Sequence, residues 1–202
     1  MRASKPFVLG LTGGIGCGKS EAARYLRSLG AAHIDADAIS RALTAPGGEA
    51  LPAVRRAFGD AVFAPDGSLD RRALSGIVFS DADAKARLEA IIHPLVWAQT
   101  ERSIAEAGAP VAVLDVPLLF ESGMDALCGE VWTMAADEET QIARVRERDG
   151  LTEAQARSRI ANQMPMAERN ARAARVIDSA RPIAETRSEL ALLYAQLLAR
   201  VG

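Results

Sequence analysis

The chain has 202 residues, of which 49% are apolar, and its 24 basic and 26 acidic side chains leave a formal net charge of −2. That length suits one domain with an inserted lobe and a substantial buried core. The near balance of charge gives no electrostatic reason to expect nucleic acid or an anionic membrane as partner, and no apolar run approaches the roughly 20 residues of a membrane helix, so small ligands fit better. The start Met1-Arg-Ala-Ser-Lys-Pro leads into a strand rather than a signal-peptide core, and the expected compartment is the cytoplasm. Cys17 and Cys128 do not suggest a disulfide scaffold, and His33 and His93 form no ligand cluster, so no zinc site is assigned.

Phe7-Val8-Leu9 reads as a strand and runs into Gly13-x-x-x-x-Gly18-Lys19-Ser20, a complete P-loop. Gly13, Gly14, Gly16 and Gly18 let the backbone curl with its amides inward, from Cys17 through to Glu21, and the helix predicted over 21–29 adds its positive end. Such a nest binds phosphates. Lys19 is placed to reach the β- and γ-phosphates of a nucleotide, and the Ser20 hydroxyl is a ligand for Mg²⁺.

Gly30 stops this helix, and Ala31-Ala-His-Ile-Asp35 supplies a second strand, completing a βαβ unit. In such a unit the ligand crevice lies beyond the carboxyl ends of the strands, which places Asp35 and Asp37 near the phosphates. His33, two residues before Asp35, reads as a satisfied or partly exposed side chain rather than a catalyst. From 38 to about 108 the chain reads as helix punctuated by Pro46-Gly-Gly48, Gly59-Asp60 and Pro65-Asp-Gly67, too long for a simple crossover. Helices are expected over 49–58, 71–79, 83–92 and 95–107, with Leu51, Val54, Phe58, Leu88, Ile91 and Ile92 as core positions. Arg71-Arg72 is either a solvated pair or a holder of an acceptor's phosphate. His93-Pro94 marks either a functional histidine or a helix-end turn.

Val111-Ala-Val-Leu-Asp115 has the continuous apolar character of a strand covered on both faces. Its terminal Asp115 is either a metal-side acid or a structural turn acid. Residues 130–136 give a fourth strand, 174–178 a fifth, and 183–200 the last helix. Between the last two strands, Arg144, Arg146, Arg148, Arg157, Arg159, Arg169, Arg172 and Arg175 outnumber the four acids Glu147, Asp149, Glu153 and Glu168. An exposed, ion-paired helical hairpin is one reading; a lid that closes over a triphosphate is the other. Arg144 and Arg148, one turn apart, are the preferred lid arginines.

Taken together, Leu11-Thr-Gly-Gly-Ile-Gly-Cys-Gly-Lys-Ser20, Ile34-Asp-Ala-Asp37, Gly67-Ser-Leu-Asp-Arg-Arg72, His93-Pro94, Pro117-Leu-Leu-Phe-Glu121, Gln141-x-x-Arg144-x-x-x-Arg148-Asp149 and Val176-Ile-Asp178 resemble the dephospho-coenzyme A kinase family in its own order. The resemblance implies an α/β P-loop NTPase-type core of about five parallel strands flanked by helices. It places that core at about 6–37, 109–140 and 174–202, a helical acceptor-binding insertion at 38–108 and a lid at 141–173. It implies ATP-dependent, Mg²⁺-assisted phosphorylation of the ribose 3′-hydroxyl of dephospho-coenzyme A, by a monomer or small homo-oligomer. Asp37 then stands at the catalytic base, with Asp35 orienting the loop or a metal-bound water, and Arg72 and His93 on the acceptor side. A carboxylate suits an alcohol acceptor, which is far from ionised at neutral pH. Two departures stand out: Glu21 where the family usually has Thr, and Ser179-Ala180 where it usually has Asn and often Gly. Two other functions remain: another small-molecule P-loop kinase, or a nucleotide-dependent switch, although no Asn-Lys-x-Asp guanine signature is present.

Overall fold

The computed structural model describes residues 5–201; residues 1–4, on which the reading of the chain start partly rests, and Gly202 lie outside it. The chain divides into two compact units, one running to Ile34 and resuming at Ile104, the other Asp35–Ser103.

The first unit is built on a parallel sheet. Strands β1 (Phe7–Gly13), β2 (Ala32–Asp35), β3 (Val111–Asp115), β4 (Glu130–Ala135) and β5 (Arg175–Asp178) lie in the order β2-β3-β1-β4-β5. The register sets Asp115 opposite Leu11, Thr133 opposite Thr12 and Asp178 opposite Ala135. The carboxyl ends of four neighbouring strands therefore converge where β1 gives way to the glycine-rich loop. All five residues of β3 are buried, as its unbroken apolar run requires.

Helix α1 (Lys19–Ser28) follows the loop and buries Ala22, Ala23 and Leu26, while Gly30 turns the chain at φ 99°. Leu26 packs with Leu190, Tyr194 and Leu197 of the last helix (Ile183–Val201) against Leu9, Leu11, Trp132, Met134 and Ile177. Truncating a fully buried leucine such as Leu26 to alanine costs about 2–5 kcal/mol, so the helix that starts at the P-loop is firmly anchored.

The second unit is helical. It contains α2 (Ala36–Leu43), α3 (Leu51–Phe58), α4 (Arg71–Ser80) and all but the last two residues of α5 (Ala82–Ala105). Val54 is fully buried, while Leu51, Phe58, Leu88, Ile91 and Ile92 are half-buried. The two helices expected over 83–92 and 95–107 are one continuous helix that contains Pro94. A proline removes one N–H bond and crowds the carbonyl four residues back. Here Pro94 is exposed, and a stripe at strict four-residue spacing, Ala84, Leu88, Ile92, Val96, Thr100 and Ile104, passes on the less exposed side of it. The stripe prevails over the local break. His93-Pro94 is thus not a helix-end turn.

In the first unit the arginine-rich stretch folds as three helices rather than a hairpin: α6 (Glu138–Asp149), α7 (Glu153–Ala161) and α8 (Met166–Arg172). Asp137 caps α6 through its side chain, and Thr152 with Gln155 forms a capping box on α7. With these helices numbered, the last helix is α9.

Candidate active site

The loop between β1 and α1 takes its shape from left-handed glycines. Gly16 and Gly18 have φ of 77° and 74°, a region where a side chain is strained. Gly18 is also the N-cap of α1 and provides no side-chain cap. The end of α1 thus keeps its positive pole toward the loop, the arrangement that attracts a phosphate. Ser20 is exposed in the first turn. Cys17 is 1% exposed, and burial pushes its thiol up, which leaves it a small apolar filler rather than a nucleophile. Glu21 is engaged elsewhere: its carboxylate pairs with Arg187 and with Arg24, and its amide donates to the Gly18 carbonyl at 3.0 Å. The departure from Thr therefore adds no carboxylate free to repel phosphate.

Lys19 ion-pairs with Asp115 Oδ1, and His33 Nε2 lies 3.0 Å from Asp115 Oδ2. Both carboxylate oxygens are thus occupied. Asp115 is 5% exposed, and burial by itself would raise its pKa; the His33 hydrogen bond and the Lys19 charge outweigh this and hold it below the usual carboxylate range. His33 is satisfied, as the sequence suggests, but its partner was not legible: β2 and β3 are neighbours only in the folded sheet. Among the described residues no group of three or more His, Cys, Asp or Glu gathers to hold an ion. That suits Mg²⁺, which is usually bound by one or two protein oxygens with phosphate and water oxygens for the rest; an exposed hydroxyl at the loop mouth and a neighbouring carboxylate are donors of the right chemistry.

The helices of the arginine-rich stretch grip the outside of the loop. Ile15 packs with Ile142, Val145, Leu151, Ala156 and Ile160. Arg144 donates to the Gly16 carbonyl at 3.2 Å and to Ser179 twice, reaching Oγ at 3.1 Å and the carbonyl at 2.6 Å. Ser179, where the family usually has Asn, is buried and joins the β5 end to the loop through this guanidinium. Arg148 does not share that target: it pairs with Asp149 at 2.7 Å and is largely exposed. Arg169 is 3% exposed, a burial that the polar sequence around it conceals.

The residues that the sequence suggests for the acceptor all lie in the helical unit. Asp35 caps α2, accepting from the Ala38 amide at 2.8 Å, and faces Arg41 at 3.5 Å. Asp37 lies in the first turn of α2 and is exposed. Arg71 and Arg72 are both exposed, and Arg71 donates to Thr44 Oγ1 at 2.8 Å and to the Arg41 carbonyl at 3.2 Å. Asp70 caps α4 by accepting from the amides of Arg72 and Ala73. His93 is exposed on α5.

Comparison with known proteins places this arrangement. A family model described as dephospho-CoA kinase matches residues 7–185. A dephospho-CoA kinase of Aromatoleum aromaticum is 48% identical over 201 residues, covering 97% of this chain and 96% of that one. A crystal structure of a Thermus thermophilus protein superposes with a TM-score of 0.84 at 35% identity, over 98% of this chain and 100% of the other. The dephospho-CoA kinase of Campylobacter jejuni gives a TM-score of 0.73 at 26% identity, over 95% and 97%.

Proposed function

This chain belongs to the dephospho-CoA kinase family, and we propose that it performs that reaction with the residues placed above. It transfers the γ-phosphoryl group of ATP to the ribose 3′-hydroxyl of dephospho-coenzyme A, giving coenzyme A and ADP, the final step of coenzyme A synthesis. The observation that carries the residue assignment is the left-handed Gly16/Gly18 loop with Lys19 held on Asp115 beside it.

The loop amides and Lys19 bind the β- and γ-phosphates, with Lys19 exchanging its Asp115 partner for phosphate oxygens. Mg²⁺, when bound, neutralises phosphate charge; Ser20 and Asp115 would hold it. Asp37 accepts the proton of the attacking hydroxyl. The assignment of Asp37 rather than Asp35 is supported by Asp35 serving as the cap of α2. Arg144 and Arg148 neutralise charge on the transferring group, the segment 141–173 acts as the lid, and Arg72 and His93 bind the acceptor within the insertion. We place the enzyme in the cytoplasm as a monomer or small homo-oligomer acting on small molecules alone. Among the described residues no helix is long and apolar enough to cross a membrane.

A coupled ADP-release assay over dephospho-coenzyme A, shikimate, gluconate and nucleoside monophosphates tests the reading. Turnover is expected with dephospho-coenzyme A; preferred turnover of another acceptor, or nucleotide hydrolysis indifferent to acceptor, would overturn it.

A further inference from the structure

The turn between α7 and α8, within the segment assigned above as the lid, makes contacts to the phosphate loop and around it that the lid role does not explain. Gln163 Oε1 accepts the Ile15 amide at 2.8 Å, across 148 residues of sequence. The next residue is held from two other directions. The Met164 amide donates to Glu121 Oε1 at 3.2 Å, and the Met164 carbonyl accepts from Arg169 Nη2 at 3.0 Å. Arg169 is buried, lies 3.9 Å from the Glu121 carboxylate and leaves its Nε without a partner. Losing a partner of a buried charged group is strongly destabilising, so the bonds it does make are held firmly. Here they fix the part of the turn that reaches the tip of the glycine-rich loop.

The loop tip depends on that contact. Ile15 lies between Gly14 and Gly16, in a segment whose flexibility the binding of phosphate requires and whose disorder would cost affinity. Its side chain is half-buried against the α6–α7 cluster, and Gln141 and Arg169 fill the space beside Gly14. Those contacts restrain the tip by packing; the Gly14–Ile15 peptide itself is held at both ends, its carbonyl accepting from the Cys17 amide at 3.1 Å and its amide donating to Gln163, the one of the two bonds that comes from outside the loop.

We propose that Gln163 is a positioning residue for phosphoryl transfer: by holding the Ile15 amide it preorganises the tip of the phosphate loop before ATP arrives. The proposal rests on the reading that residues 13–20 bind ATP. It assigns Glu121 and Arg169 the task of holding the Gln163–Met164 turn in place.

Gln163→Met keeps the length and removes the acceptor; Gln163→Glu keeps an acceptor oxygen. Amide hydrogen exchange by NMR without nucleotide should show the Ile15 amide exchanging faster in Gln163→Met and returning toward wild type in Gln163→Glu. Steady-state kinetics of Gln163→Met should show the KM for ATP raised about three- to tenfold, the size of one lost hydrogen bond, with the KM for dephospho-coenzyme A unchanged. Unchanged Ile15 exchange in Gln163→Met, or no recovery in Gln163→Glu, overturns the proposal. So does faster exchange without a rise in the KM for ATP, or a rise shared equally by both substrates. Normal turnover in Lys19→Ala would instead sink the ATP-loop reading, and it would leave the exchange of the Ile15 amide as it was.

Discussion

The two units hold their polar residues in different ways. In the sheet unit, the groups around the phosphate loop are engaged before any ligand arrives: Lys19 and His33 on Asp115, Arg144 on Gly16 and Ser179, Gln163 on Ile15. In the helical unit, the corresponding polar residues lie at the surface: Asp35 caps a helix from a half-buried position, Arg71 ties Thr44 and Arg41, and Asp37, Arg71 and Arg72 are all exposed. A site for phosphate, common to every turnover, can be built in advance from amides and fixed charges. The helical unit keeps these polar side chains at or near the surface, where a substitution usually changes stability little. Changes in the sheet unit should therefore register in the unliganded protein, and changes in the helical unit only in kinetics with acceptor.

The largest expected effect is at Asp37. Asp37→Asn keeps the shape and loses the basic oxygen, so kcat should fall by about 10²- to 10⁴-fold, with ATP binding retained and stability changed by less than about 1 kcal/mol. Wild-type kcat would remove Asp37 from the chemistry. Lys19→Ala should lower kcat by about 10²- to 10³-fold, and it should also lower the unfolding midpoint, because Asp115 is left buried with His33 alone. An unchanged midpoint would break the contrast between the units. Next in size, Arg72→Ala should raise the KM for dephospho-coenzyme A roughly tenfold or more, the scale of a charge-assisted hydrogen bond, and His93→Ala should raise it less. Both should leave the KM for ATP and the midpoint close to wild type. A parallel rise in both KM values would point to folding instead.

What could be read from the sequence follows the same division. The inner strands were legible because a parallel sheet covered on both faces demands apolar runs such as Val111-Ala-Val-Leu, the edge strands β2 and β5 showed only short apolar signals, and the P-loop declared itself by spacing. The single helix through Pro94 was not, because the local rule against proline is explicit and the four-residue stripe that overrides it becomes decisive only once both sides are folded. The partners of Asp115, Ser179 and Gln163 were hidden for a different reason. Each lies 35 or more residues away in the chain and becomes a neighbour only through strand order or helix packing. Gln163 carries no motif signal, and Arg169 reads as one more surface arginine until its burial is seen.

The smallest effect is expected at Glu21, which belongs to the sheet unit yet holds its partners near the surface. If burial and multiple bonding, rather than membership of a unit, make the difference, this pair must behave like the helical unit. The Arg187 hydrogen bond, with Arg24 beside it, holds the Glu21 carboxyl below its usual range. A carboxyl lowered in the folded state stabilises above its ordinary unfolded pKa of about 4.3, and that contribution disappears as pH falls through the folded value. Glu21→Gln should accordingly lower stability by no more than about 1 kcal/mol at pH 7, with the gap from wild type closing as the solution is acidified below pH 4. Denaturant midpoints of the two proteins across pH 3 to 7 measure this. The KM for ATP should hold, because the side chain removed faces Arg187 and Arg24. A gap independent of pH would mean that the pair contributes through packing, and a KM for ATP several-fold lower in the variant would mean that the carboxylate repels the nucleotide after all.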